Sequence, residues 1–183
     1  MTKTKAEKLW YAIRVTYNRE LKVKADLLQK EIECFLPMTY KDTMRGEQKV
    51  RLLVPAIHNL IFIRLSEEEM KEYKRTTSLP IRYIMDGQSG RPLTVPEREM
   101  QNFIHVAGVS GEPIVYLDLD TANMKRGDRV RITGGLFEGT EGEFVRVRGD
   151  RRVMVRIAGL VAVATPFIHP SLIERIESED NNK

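Results

Sequence analysis

Apolar and polar positions alternate over Trp10-Tyr11-Ala12-Ile13-Arg14-Val15, which predicts a strand with Tyr11, Ile13 and Val15 on one face. Asn18 is placed to cap the helix that follows, Glu20 suits its first turn, and Leu21, Ala25 and Leu28 form its apolar face. Cys34 to Tyr40 reads as a strand interrupted by Pro37, at an edge or a bulge. The polar stretch Lys41 to Lys49 between two strand-like runs predicts a long hairpin with its tip near Arg45-Gly46-Glu47. Leu60-Ile61-Phe62-Ile63 reads as a buried strand. Ser66 followed by Glu69 is a capping box, opening a helix that buries Met70 and Tyr73. Ile81 to Met85 is a further strand, Asp86 to Gly90 a turn, and Pro96 stands at the start of a third helix with Met100, Phe103, Ile104 and Ala107 as its stripe.

After Ala107 the helical period does not return. Gly108 to Pro113 has linker composition. Beyond it, Val130 and Ile132 alternate with Arg129 and Arg131, Phe144 to Arg148 alternates around Val145 and Val147, Val153, Val155 and Ile157 alternate with Arg152, Met154 and Arg156, and Val161 to Ile168 follows. Gly134-Gly135, Gly139, Gly142, Gly149 and Gly159 punctuate these runs, a spacing that suggests a small β-barrel. The expected fold class is α+β: an N-terminal antiparallel sheet with packed helices over 9–107, a linker over 108–120, a barrel over 121–177 and a polar tail over 178–183.

Charge changes the picture little. The 183 residues carry a formal net charge of +4. Residues 1–109 hold 19 lysines and arginines against 14 acids, and residues 110–183 hold 11 against 12. A mildly basic first half permits contact with nucleic acid without demanding it. The single cysteine, Cys34, excludes an intrachain disulfide and reads as a structural thiol, so the cytoplasm is the expected compartment. Neither a signal peptide nor a membrane span is expected. His58, His105, His169 and Cys34 have no zinc spacing, and no phosphate-binding loop, dinucleotide fingerprint or nucleophile elbow is found. Asp118 and Asp120 read as solvated linker. The expectation is a binding protein with no cofactor and no metal, not an enzyme.

The run Lys125-Arg126-Gly127-Asp128-Arg129-Val130-Arg131-Ile132-Thr133-Gly134-Gly135-Leu136-Phe137-Glu138-Gly139-Thr140-Glu141-Gly142-Glu143-Phe144 resembles the KOW motif, which belongs to SH3-like barrels. Trp10-Tyr11, Glu33-Cys34-Phe35-Leu36-Pro37-Met38 and Pro55-Ala56-Ile57-His58-Asn59-Leu60-Ile61-Phe62-Ile63-Arg64 resemble the N-terminal domain of NusG-type transcription elongation factors. His58-Asn59-Leu60 stands where Pro-Gly-Tyr is common, which brings the chain closer to specialised paralogues of the RfaH and UpxY type.

The resemblance implies an antiterminator that binds the clamp helices of the RNA polymerase β′ subunit and suppresses pausing or termination, acting on particular operons such as those for polysaccharides. By matching position, Leu60 and Phe62 line an apolar depression, with Phe35 and Pro37 beside it. Lys41, Arg45, Lys49 and Arg51 on the hairpin would reach across the DNA channel. Lys71, Lys74, Arg75 and Arg82 form a second basic patch for non-template DNA or nascent RNA. In the barrel, Arg146, Arg148, Arg152, Arg156, Ala158 and Leu160 form a partner face, for RNA or a ribosomal protein. Ala158 replaces the family phenylalanine, which argues against coupling to Rho. A monomer is expected. Plainer readings stand beside these: ordinary core for the apolar four, and solvated or salt-bridged surface for the cations. The alternative function is a ribosome- or RNA-associated KOW protein without polymerase contact.

Overall fold

The computed structural model describes residues 6–109, 111–117, 127–157 and 159–176. By packing, the chain divides into Met1–Glu97 and Arg98–Lys183. That division falls ahead of the boundary after residue 107 read from the sequence.

The first unit is built on an antiparallel sheet whose centre is β1 (Leu9–Val15). β1 pairs with β5 (Leu60–Leu65) on one side and with β6 (Ile81–Tyr83) and β7 (Thr94–Val95) on the other. β2 (Cys34–Phe35) adds to the free side of β5. Tyr11, Ile13 and Val15, with Ile61, Ile63 and Ile81, meet Val23 and Leu27 of α1 (Glu20–Gln29) and Met70 and Tyr73 of α2 (Glu67–Thr76). The Tyr73 hydroxyl donates to Asp26 at 2.9 Å and ties the two helices together. The capping box at α2 forms as expected: Ser66 Oγ accepts from the Glu69 amide at 3.2 Å, and Glu69 Oε2 accepts from the Ser66 amide at 2.8 Å.

Helix α1 departs from expectation. Its cap position is Arg19, without a side-chain bond, and Asn18 instead adopts a left-handed backbone (φ 51°) in the preceding turn. Leu21 and Leu28 are 53% and 59% exposed, whereas Glu20, Val23 and Leu27 are buried. The buried Glu20 carboxylate accepts the Asn59 amide at 2.8 Å. Glu20 lies with Val23 and Leu27 on the buried face of the helix, the face turned to the sheet.

Pro37 ends the run that began at Cys34. β2 stops at Phe35, and β3 (Met38–Arg45) leaves the main sheet to pair only with β4 (Gln48–Pro55). Arg45 pairs with Gln48 around Gly46 (φ 65°), so the hairpin turns where its composition predicts.

The second unit carries most of α3 (Glu97–Ala107) and a six-stranded antiparallel sheet. In spatial order the strands are β13 (Ile173–Arg175), β9 (Asp128–Ile132), β10 (Glu141–Val147), β11 (Asp150–Ile157), β12 (Val161–Ala164) and β8 (Val115–Leu117). β8 falls in the segment read as linker, where it pairs with β12. Close backbone approach explains two glycines. A Cβ on Gly127 would sit 2.1 Å from the Phe144 carbonyl oxygen, and one on Gly142 would sit 2.4 Å from that of Met154. The arrangement, an α+β sheet-and-helix unit followed by a small antiparallel β unit, is the expected fold class. Asp118, Asp120, Lys125, Arg126 and the tail over 178–183 lie outside the described residues.

Candidate functional site

Strand register decides which of the expected site residues share a surface. The apolar group is mostly interior: Phe62 is 0% and Leu60 3% exposed, and Pro37 is also buried. β5 is covered on both faces, so Leu60 and Phe62 do not line an open depression. Phe35 stands opposite Phe62 across the β2–β5 ladder and is half-buried, the member of the four that solvent reaches most.

Hairpin β3–β4 projects four cations, two to each face, because directly paired residues point the same way. Lys49 and Arg51 share a face with Tyr40 and Asp42. Lys49 pairs with Asp42 at 2.9 Å, holding that carboxyl below its usual range, and the Arg51 guanidinium lies 4.5 Å from the Tyr40 ring centroid. Lys41 and Arg45 point the other way and have no ion-pair partner among the described residues. Tyr40, Met44, Leu52 and Leu53 are exposed between these charges, so the hairpin is amphipathic on both sides.

The second basic patch is divided by the sheet. Lys71 and Arg75 are tied to Glu67 and Glu72 on α2's own surface, and the Lys74 ammonium sits 4.4 Å from the Tyr83 ring centroid. Arg82 is not with them, because β6 turns it to the face away from α2. There it stands directly opposite Arg14 of β1. Both are exposed, and neither has a carboxylate partner among the described residues. Arg14 went unnoticed in the sequence because cross-sheet neighbours leave no local signal.

The arginines of the second unit also separate. Arg146 pairs with Arg151, while Arg152 pairs with Val145, so Arg146 and Arg152 occupy opposite faces. Arg152 is buried and donates to the Pro113 and Thr165 carbonyls at 3.0 and 2.9 Å and to Asp150 at 2.9 Å, a structural role. Arg156 pairs with Glu143 at 3.2 Å on that same face. Arg148 sits in the β10–β11 turn and Leu160 in the β11–β12 turn, and Ala158 lies outside the described residues. The five described residues therefore form no single surface. Arg151 was missed, although a tight turn at Arg148-Gly149 already places residues 146 and 151 opposite each other.

One acid organises the start of β10. Burial pushes the Glu141 carboxyl up, but bonds from Arg98 (2.6 Å) and Arg131 (2.7 Å) outweigh it and leave it below its ordinary range. The Glu141 amide donates to Asn102 Oδ1 at 3.0 Å, and Thr140 Oγ1 is 3.0 Å from His105 Nδ1. These bonds fasten α3 to β10.

Among the described residues no group of His, Cys, Asp and Glu could hold a metal ion, and no helix is long and apolar enough to cross a membrane. Cys34 is half-buried, and burial raises its thiol pKa. A family model described as "Transcription termination factor nusG" matches residues 8–104. Among solved structures, one described as "Domain interaction in Thermotoga maritima NusG" is similar at 21% identity and a TM-score of 0.47, over 93% of this chain and 98% of that one. No curated protein matches.

Proposed function

We propose, from the premise that this chain belongs to the NusG family, that it is an antitermination factor that binds RNA polymerase and suppresses pausing or termination. NusG-family proteins are transcription factors rather than enzymes, and they typically bind RNA polymerase. The observation that carries the proposal is the family match over residues 8–104, which spans nearly all of the first unit.

In this reading residues 9–107 form the polymerase-binding domain, 108–120 the linker and 121–177 a KOW domain. The contact is with the clamp helices, through the surface around Phe35. Pro37, Leu60 and Phe62 support that surface from inside. The hairpin cations Lys41, Arg45, Lys49 and Arg51 reach across the cleft, and Arg82, with Lys71, Lys74 and Arg75 on the other side of the sheet, meets nucleic acid. Bridging the cleft favours the closed clamp. That is a population shift, and it needs only differential binding to the two states. His58-Asn59-Leu60 in place of the common family sequence supports a specialised paralogue acting on particular operons, polysaccharide operons by resemblance, in the cytoplasm and as a monomer. A ribosomal protein is the partner proposed for the KOW domain.

Affinity capture of the tagged chain tests the proposal. RNA polymerase is expected in the eluate, and Phe35→Asp is expected to remove it while the variant keeps its circular dichroism. Phe62→Asp does not serve, because a charge at a fully buried site disrupts the core itself. Ribosomal particles without polymerase would favour the architectural KOW reading instead.

A further inference from the structure

We propose that the outward face of helix α1 is a docking surface for an acidic amphipathic helix of a partner protein, seated on Leu21, Ala25 and Leu28 between Lys22 and Lys24. Helix α1 is apolar on two sides. Val23 and Leu27 are buried against the sheet, whereas Leu21, Ala25 and Leu28 are exposed, the two leucines by more than half. Single exposed leucines are ordinary on a protein surface. These three residues are not scattered. They follow one another at steps of four and three positions, the spacing that lines one side of a helix and lets it seat against a second helix.

Charge selects the occupant. At about 3.6 residues per turn, Lys24 borders the stripe on one flank and Lys22 borders it on the other. Lys22 is exposed and Lys24 half-buried, and neither has an ion-pair partner among the described residues. The two acids of α1 are engaged elsewhere. Glu20 accepts the Asn59 amide, and Asp26 takes Lys30 and the Tyr73 hydroxyl. An apolar stripe with an unmatched cation on each flank fits a helix whose own stripe is flanked by carboxylates. It does not fit a second copy of itself, because two α1 helices packed stripe to stripe would set lysines against lysines. The 10 residues of α1 span about 15 Å, enough to seat the three apolar residues and both lysines against one short partner helix.

This surface is separate from the one proposed to hold RNA polymerase. Helix α1 covers the face of the first sheet that carries Ile61 and Ile63, and Phe35 stands with Phe62 on the other face. Docking on α1 therefore neither needs polymerase binding nor obstructs it. A chain that holds polymerase through the Phe35 surface is left able to hold a second protein on the opposite side of the same unit.

The test needs no polymerase, so either reading can fail alone. The probe is a labelled synthetic helix of about three heptads, with leucines at heptad spacing and glutamates at every flanking position, which also keep the peptide from pairing with itself. A counterpart peptide carries lysines in place of the glutamates. The full chain is titrated into each, with fluorescence anisotropy as the readout. Salt-sensitive binding of the glutamate peptide is expected, weakened about tenfold by Leu28→Glu and about as much by the double substitution Lys22→Gln/Lys24→Gln, and unchanged by Lys8→Gln, which removes a cation outside α1. Leu28 is exposed, so Leu28→Glu is expected to keep the circular dichroism of the parent. If it does not, Ala25→Glu places a charge on the same exposed stripe and is expected to weaken binding likewise. The proposal is overturned if the glutamate peptide does not bind, if these variants bind it as the parent does, or if the lysine peptide binds as tightly. Sedimentation of the chain alone is expected to show a monomer. A dimer that Leu28→Glu dissociates would also overturn the proposal, because the face would then be a contact between copies of this chain.

Discussion

Arg14 and Arg82 face each other directly across the β1–β6 ladder, with no carboxylate beside either among the described residues. A like-charge pair in that position costs roughly 0.2–1 kcal/mol relative to a neutral one. Arg82→Gln is therefore expected to stabilise the protein by about 0.5 kcal/mol in urea denaturation. A loss of stability would show that the two guanidinium groups are matched by something other than solvent.

The reciprocal cap at α2 gives a simpler expectation. Ser66→Ala removes the acceptor for the Glu69 amide but keeps the Ser66 backbone amide that donates to the Glu69 carboxylate. The expected destabilisation is about 1 kcal/mol, read from the urea midpoint at unchanged slope. Glu69→Gln, which can still accept the Ser66 amide, is expected to cost less.

Helix α1 tests which stripe carries the packing. Leu27→Ala is expected to cost about 2–5 kcal/mol, because Leu27 is fully buried against the sheet. Leu28→Lys is expected to lie within about 0.5 kcal/mol of the parent, because Leu28 is 59% exposed. Thermal denaturation of the two variants side by side decides the orientation.

In the second unit, Gly142→Ala is expected to cost about 3 kcal/mol, because its Cβ would meet the Met154 carbonyl 2.4 Å away and force β10 and β11 apart. Gly46→Ala is the contrast. Nothing lies within 4 Å of its Cβ, and the penalty comes only from its positive φ. Comparing the two urea midpoints separates close approach from backbone conformation.

These cases show which parts of the fold were legible in the sequence. The Ser66 cap, the Gly46 turn and the alternation of Tyr11, Ile13 and Val15 are local signals, and each corresponds to an observed element. The apolar face of helix α1 read from the sequence, Leu21, Ala25 and Leu28, is not the buried one, and the Glu20–Asn59 bond on the buried face joins residues far apart in the chain. β8 and β13 are three-residue strands with too few positions to display a period. The candidate site was least legible because it depends on register. A one-position difference puts Arg151 beside Arg146 and buries Arg152 on the opposite face, and the alternation of side chains along β6 separates Arg82 from Lys74.

Glu141 carries the pH dependence. Its carboxyl is buried, yet it stays below its ordinary range because Arg98 and Arg131 bond to the ionised form. A group whose folded pKa is depressed adds stability above its unfolded value, here 4.5, and loses that stability as pH falls through the folded value. The neighbouring Glu99 runs the other way: burial raises its pKa, so its carboxyl favours the folded state below 4.5 and opposes it as pH rises through the raised value. Glu141→Gln removes the first contribution and leaves the second. At pH 7 the variant is expected to be about 2 kcal/mol less stable than the parent, the worth of hydrogen bonds to a charged group. Below pH 4.5 the difference is expected to shrink steadily, whereas Glu99→Gln, stabilising at pH 7, is expected to lose its advantage earlier, as pH falls through the raised Glu99 value towards 4.5. Amide exchange in α3 is the matching local readout, since the Arg98 and Asn102 bonds to residue 141 hold that helix to β10. A Glu141→Gln difference that stayed constant from pH 7 to pH 3 would mean that the carboxyl acts through its shape rather than its charge.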